Sequence, residues 1–255
     1  MSVWGKVIGG VAGFALGGPL GAILGTVAGH AVDKIRAEEA AAAYGAVPGG
    51  ADNARRQAAF TTAIIVLAAK MAKADGQVTR DEVDAFKAVF QIPAHEMAAV
   101  GQVFDRAKRD ARGFEPYAEQ ISELFRHQPQ VMEELIGALF HIAMADGVFH
   151  PGEEAYLKRV ALIFGFTGHE FERLKAIHTQ GFGGPEEADP YAVLDLPHDA
   201  PDDDIKKAYR KLVVENHPDK LTAQGLPQEF IDLANEKLAT INAAYDRIRK
   251  QRGFN

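Results

Sequence analysis

The sequence predicts an all-α protein. Period-3.6 apolar patterns recur along the 255 residues, strand-like alternation is nearly absent, and a helix–turn–helix pattern is repeated within the chain. The predicted parts are an N-terminal membrane helix, a central helical bundle and a C-terminal helical hairpin. With 47% hydrophobic residues the chain can form two small domains or one large one, and the segment pattern favours two. A net charge of −7 leaves no global electrostatic footprint for nucleic acid. Cysteine is absent, which excludes a disulfide framework, a thiol nucleophile and cysteine-ligated zinc.

Residues 1–36 read as a membrane anchor. No charged residue lies between Val7 and Val32, a length that can cross a bilayer core needing roughly 20 apolar residues. Glycine recurs every fourth position, and Gly9, Gly13, Gly17, Gly21 and Gly25 would line one face of a helix. In lipid such a face allows close backbone contact and self-association, whereas in water each glycine costs a helix up to about 1 kcal/mol. Gly18-Pro19 allows a second geometry, two short helices in a hairpin or re-entrant element. The apolar run is too long for a cleaved signal peptide, and only Lys6 precedes it. Lys34 and Arg36 give a slight bias toward a cytoplasmic C-terminal side.

Residues 37–53 form a linker rich in alanine and glycine, and residues 54–178 a helical domain. Inside that domain Ala74-Asp75-Gly76 through Glu82 matches Ala145-Asp146-Gly147 through Glu153, each copy between two apolar helices. Asp75 with Glu82, and Asp146 with Glu153, are candidate ligands for a hard cation. Capping explains the same residues without a metal. Gly76 and Gly147 end helices, Thr79-x-x-Glu82 is a capping box, and Pro151 suits a first helical turn. Known calcium loops draw six or more oxygens from a longer stretch, and Val148 and Phe149 stand where ligands would be needed. The duplicated acidic turn makes this domain resemble the TerB-like family of tellurite-resistance proteins, which implies no established catalytic reaction.

Residues 179–188 are a second linker, and residues 189–255 the last domain. Asp189-Pro190 reads as N-cap and first helical position, opening a short helix. The Asp202–Asp204 triplet stands at the positive end of the next helix, with Lys206, Lys207, Arg210 and Lys211 further along. Ile205, Ala208, Tyr209 and Leu212 form its apolar stripe, and Leu238, Ile241, Ala244, Tyr245 and Ile248 form the facing one. His217-Pro218-Asp219, followed by Lys220, lies in the exposed loop between them.

These features, with the K-K-A-Y-R-K-L run and the I-N-A-A-Y-D-R-I helix, resemble the J domain of DnaJ-type co-chaperones. The resemblance implies docking on a DnaK-type ATPase chaperone and stimulation of its ATP hydrolysis. His217, Pro218 and Asp219 would be the trigger, and Lys206, Lys207, Arg210, Lys211 and Lys220 the basic contact to an acidic partner surface. Set beside the commonest members, the sequence is expected to lack a glycine/phenylalanine region and a dedicated client-binding domain. The order of parts is similar to DjlA-type membrane-anchored J proteins of Gram-negative bacteria. That likeness implies a single-pass inner-membrane co-chaperone with a cytoplasmic J domain, no cofactor, no chemistry of its own, unknown client proteins, and dimerisation through the glycine stripe. The alternative is a metal- or stress-sensing protein in which the J domain is an accessory output. An enzyme finds no support, because no nucleophile motif, ligand cluster or phosphate-binding glycine loop is present.

Overall fold

The computed structural model describes residues 17–28, 50–74, 97–110, 113–179, 189–224 and 230–254, with positions 86, 87, 92, 94, 226 and 227 between them. Among these residues the secondary structure is entirely helical. In chain order the helices are α1 (Gly18–Ala28), α2 (Gly50–Ala74), α3 (Met97–Arg109), α4 (Glu115–Leu124), α5 (Pro129–Ala143) and α6 (Pro151–Ile163). Then come α7 (Gly168–His178), α8 (Pro190–Val193), α9 (Asp202–Glu215), α10 (Pro218–Ala223) and α11 (Ile231–Arg252). Proline stands at the first position of α5, α6, α8 and α10, where its missing N–H would have had no intrahelical partner and its fixed φ suits the helix.

Helix α2 is the axis of the larger core. From Ala59 to Met71 every residue is buried, so α2 is enclosed on all sides. Thr61 satisfies its hydroxyl by donating to the Gln57 carbonyl at 2.9 Å. Lys70 carries its ammonium to the end of α3, donating to the Asp110 carbonyl at 3.1 Å. Around α2 pack Val100 and Val103 of α3, Tyr117 and Ile121 of α4, Leu135 and Leu139 of α5, and Tyr156 and Leu157 of α6. Tyr156 donates its hydroxyl to the Leu67 carbonyl at 2.8 Å, tying the repeat's second half to the axis.

Helix α1 belongs to this core as well. Leu20 and Ile23 are buried in it. Gly17 and Gly18 take left-handed φ values of +59° and +57°, the region that favours glycine. The Gln120 amide closes that turn, donating to the Gly17 carbonyl and accepting from the Leu20 N–H, both at 2.9 Å. A helix therefore starts at Gly18-Pro19, and the residues before Gly17, on which the choice between the two geometries also depends, lie outside the described residues. Among the described residues no helix is long and apolar enough to cross a membrane. Gly21 is buried within the chain rather than lying on a free face; Gly9 and Gly13 lie outside the described residues, as does the Gly25 surface.

A second, smaller core gathers Tyr191, Val193 and Leu194 around α8, Ala200, Ile205 and Leu212 of α9, and Ile241, Ala244 and Ile248 of α11. Tyr209 stacks on Tyr245 with ring centroids 4.0 Å apart, and its hydroxyl donates to Asn242 Oδ1 at 3.0 Å. Arg252 closes the unit from the far end, donating to the Tyr191 hydroxyl at 2.7 Å, the Ala200 carbonyl at 2.6 Å and Asp202 Oδ1 at 3.1 Å. Gly253, at φ +72°, then ends α11.

Candidate functional site

Helix α9 opens with Asp202, Asp203 and Asp204 in its first turn, which suits the positive end of the helix dipole. It runs to Glu215, where Asn216 turns the chain inward and donates its buried amide to the Leu212 carbonyl at 2.7 Å. His217 precedes a proline and is held in extended backbone, φ −67° and ψ 130°, as that position requires. It then caps α10. Its Nδ1 accepts from the Asp219 N–H at 3.2 Å, while its carbonyl accepts from the Lys220 and Leu221 N–H groups.

The connection between α9 and α11 is therefore not the plain exposed loop that the charge pattern suggests. It holds a short helix, with Leu221 and Leu226 fully buried beneath it. Only its outer surface is open: the Asp219 side chain is 95% exposed and the His217 ring 53%. This arrangement presents a carboxylate and an imidazole on a capped, proline-started turn.

The basic residues lie on the neighbouring surface. Lys207, Arg210 and Lys211 are exposed, while Lys206 and Lys220 are half-buried. Lys207 pairs with Asp204 at 3.1 Å, and the Lys206 ammonium stands 5.1 Å from the Phe254 ring centroid. Arg210 donates from Nε to the Lys206 carbonyl at 3.1 Å. Lys206 and Lys207 stand near the start of α9, Lys206 against Phe254, while Arg210 and Lys211 lie further along the helix toward the His217 turn.

The acidic turn of the repeat is built of caps. Asp146 Oδ1 accepts from the Val148 N–H at 2.9 Å, and buried Glu153 accepts from the His150 N–H at 3.0 Å, the reciprocal half of a capping box. Asp75 and Glu82 lie outside the described residues. Among the described residues no group of three or more His, Asp or Glu side chains is placed to hold a metal ion.

A second polar site joins the two cores. Lys237 of α11 is 2% exposed, and its Nζ lies 2.7 Å from Glu133 Oε1 and 2.8 Å from Glu134 Oε1, both on α5. Arg173 of α7 reaches the same Glu133 oxygen at 3.0 Å. His178, at the end of α7, is half-buried beside them and stacks on Phe140 at 5.8 Å. Burial alone would raise Glu133, but the Lys237 and Arg173 cations and their hydrogen bonds outweigh it and hold the carboxyl at about 2. Burial leaves Glu134 above its ordinary value and lowers His178 to about 3. The reading of α11 as a simple apolar stripe missed this site. Its signal was present: Lys237 occupies the helical register of Ala234, Ile241, Ala244 and Ile248.

The fold and the exposed turn define a J-domain protein fused to a second helical domain. Family models match in that order: the co-chaperone DjlA transmembrane domain over residues 1–56, tellurite resistance protein TerB over residues 61–176, and the DnaJ domain over residues 189–252. The chain is similar along its whole length to proteins named Co-chaperone protein DjlA. The one from Photobacterium profundum is 32% identical, over 99% of this chain and all of the relative. Those from Vibrio cholerae and Shewanella oneidensis are 32% and 34% identical, each over all of both chains. The chain belongs to the DjlA family of J-domain co-chaperones. No solved structure matches it.

Proposed function

We propose that this protein binds a DnaK-type chaperone and stimulates its ATP hydrolysis, acting from a membrane with its J domain on the cytoplasmic side. The observation that carries the reading is the turn at His217-Pro218-Asp219. Its backbone is fixed by a histidine cap and a proline start, while the Asp219 carboxylate is almost wholly in solvent. A rigid, exposed, charged turn loses little entropy when it docks. The cations of α9, the helix that leads into the turn, suit an acidic partner surface, where charge complementarity raises the encounter rate. The chain performs no covalent step in this scheme. It biases the partner's conformational equilibrium by binding one state better than another.

Anchoring rests on the match of residues 1–56 to the family's transmembrane domain. The side facing the cytoplasm and the pairing of two copies through glycines are part of the same proposal. Replacing Gly9 and Gly13 with leucine is expected to leave the protein in the membrane fraction and reduce crosslinked dimer. Unchanged dimer yield would assign the glycines to packing within the chain.

The central test is the steady-state ATPase rate of a DnaK-type chaperone with the full chain in lipid nanodiscs. His217→Gln is expected to remove stimulation while circular dichroism stays unchanged. A variant that still stimulates would overturn the proposal.

A further inference from the structure

We infer that Lys237, through Glu133 and Glu134, is the positioning residue by which the TerB-like domain sets the orientation of the His217–Asp219 turn. The inference rests on the proposed function and adds to it a residue far from the contact surface.

Helix α11 belongs to both cores. Its first residues, Ile231 and Ala234, are buried in the larger core around α2, and Ile241, Ala244 and Ile248 in the smaller one. Lys237 stands between these two sets, where the cores meet. The turn is divided in the same way. Upstream of it, Leu212 packs in the smaller core. Downstream of it, Leu221, Leu226 and Phe230 pack in the larger one, with Phe230 edge-on to Phe60 of α2 at 4.5 Å. The exposed turn thus has one support in each domain, and its orientation follows from how the domains are seated.

Apolar contacts alone tolerate small slips between packed helices. A buried ammonium shared by two carboxylates does not, because a displaced Lys237 would leave its own ammonium and the Glu134 carboxylate in the interior without partners, Glu133 alone keeping Arg173. The Lys237 Nζ to Glu133 and Glu134 distances of 2.7 and 2.8 Å therefore select one seating. The exposure of Asp219 and His217 in that seating makes it the presenting one, not a masked one.

The test pairs Lys237→Met with Glu134→Gln in the full chain in nanodiscs. This double variant keeps the net charge and leaves Glu133 with Arg173. Lys237→Met alone leaves two facing carboxylates and serves as the harsher control. Two readouts are compared with the unaltered protein: partner ATPase stimulation as a function of co-chaperone concentration, and amide hydrogen exchange over residues 217–226. The maximal stimulation is expected to fall at least fivefold, with the half-saturating concentration within about twofold, because the α9 cations are untouched. Exchange over the turn is expected to quicken at least tenfold, while the α9 and α11 amides within the smaller core stay protected. Unchanged stimulation with unchanged exchange would overturn the inference, and so would increased stimulation, which would make the seam a restraint. If the unaltered chain itself fails to stimulate, the proposed function falls, and the exchange comparison alone decides whether Lys237 positions the turn.

Discussion

His178 is the half-buried base whose titration is easiest to read in solution. It faces Lys237 of α11, Glu133 of α5, His141 of the same helix and Arg173 of its own helix. Burial is the largest influence, and the neighbouring cations add to it, so the imidazole is neutral in the fold and protonates only near pH 3. In the unfolded chain the same ring protonates near its ordinary 6.5. Between those values the unfolded state holds the extra proton, so stability is lost as pH falls from 6.5 toward 3. Glu133 continues the loss at lower pH: depressed to about 2 from 4.5, its contribution is present above 4.5 and disappears as pH falls toward 2. Glu134 is raised by burial, so its contribution runs the other way and shrinks as pH climbs above 4.5. A His178→Phe variant keeps a ring on Phe140 and removes the titrating group. Its urea midpoint is expected to fall less steeply than that of the unaltered protein between pH 6.5 and pH 3. Equal slopes in the two proteins would mean that His178 is already solvated in the folded state.

At the scale of elements, the proposed function assigns the electrostatic share of docking to α9. Replacing Lys207, Arg210 and Lys211 with alanine removes exposed charges, and Ile205 and Leu212 keep the helix packed. Partner affinity is expected to fall, and the salt dependence of docking to flatten, in binding titrations at rising ionic strength. Screening over roughly 8 Å at physiological salt makes that dependence visible in the unaltered chain. Affinity that ignores salt would leave these cations as ordinary solvated surface. Helices α8 and α9 and the proline starts were legible in the sequence because their signals are local: Asp189 caps α8 by accepting from the Tyr191 N–H at 3.0 Å, two residues away. The seating of the turn was not legible, because it depends on residues far apart in the chain. Leu221, Leu226 and Phe230 lie in a stretch that reads as a polar loop, and their burial comes from the larger core, where Phe230 meets the distant Phe60. The helix start at Gly18 has the same character: the pattern permits either one helix or two, and Gln120, a hundred residues on, supplies the hydrogen bonds that hold the start.

At the scale of the whole molecule, the J domain and the TerB-like domain share helix α11, and this changes what a J-domain fragment can be. A fragment of residues 185–255 keeps the smaller core, the Tyr209–Tyr245 stack and the Arg252 contacts to Tyr191, Ala200 and Asp202. It loses the larger-core residues of α1 to α7 that cover Leu226, Phe230 and Ile231. Burying a large apolar side chain contributes about 1.5–3 kcal/mol, so three returned to water remove a substantial part of a small domain's marginal stability. Lys237 moves in the opposite sense, because an ammonium released into water no longer needs its carboxylates. The expected fragment is therefore folded around Ile241, Ala244 and Ile248 but frayed from Leu221 to Lys237. Amide exchange is expected to be fast over residues 218–237 in the fragment and slow in the full chain, with residues 241–248 protected in both. The fragment is also expected to melt lower and to bind a hydrophobic dye through its uncovered Phe230 and Ile231. Protection over residues 218–237 that matches the full chain would show that the TerB-like domain lends this segment nothing, and the shared-helix account of the molecule would fall with it.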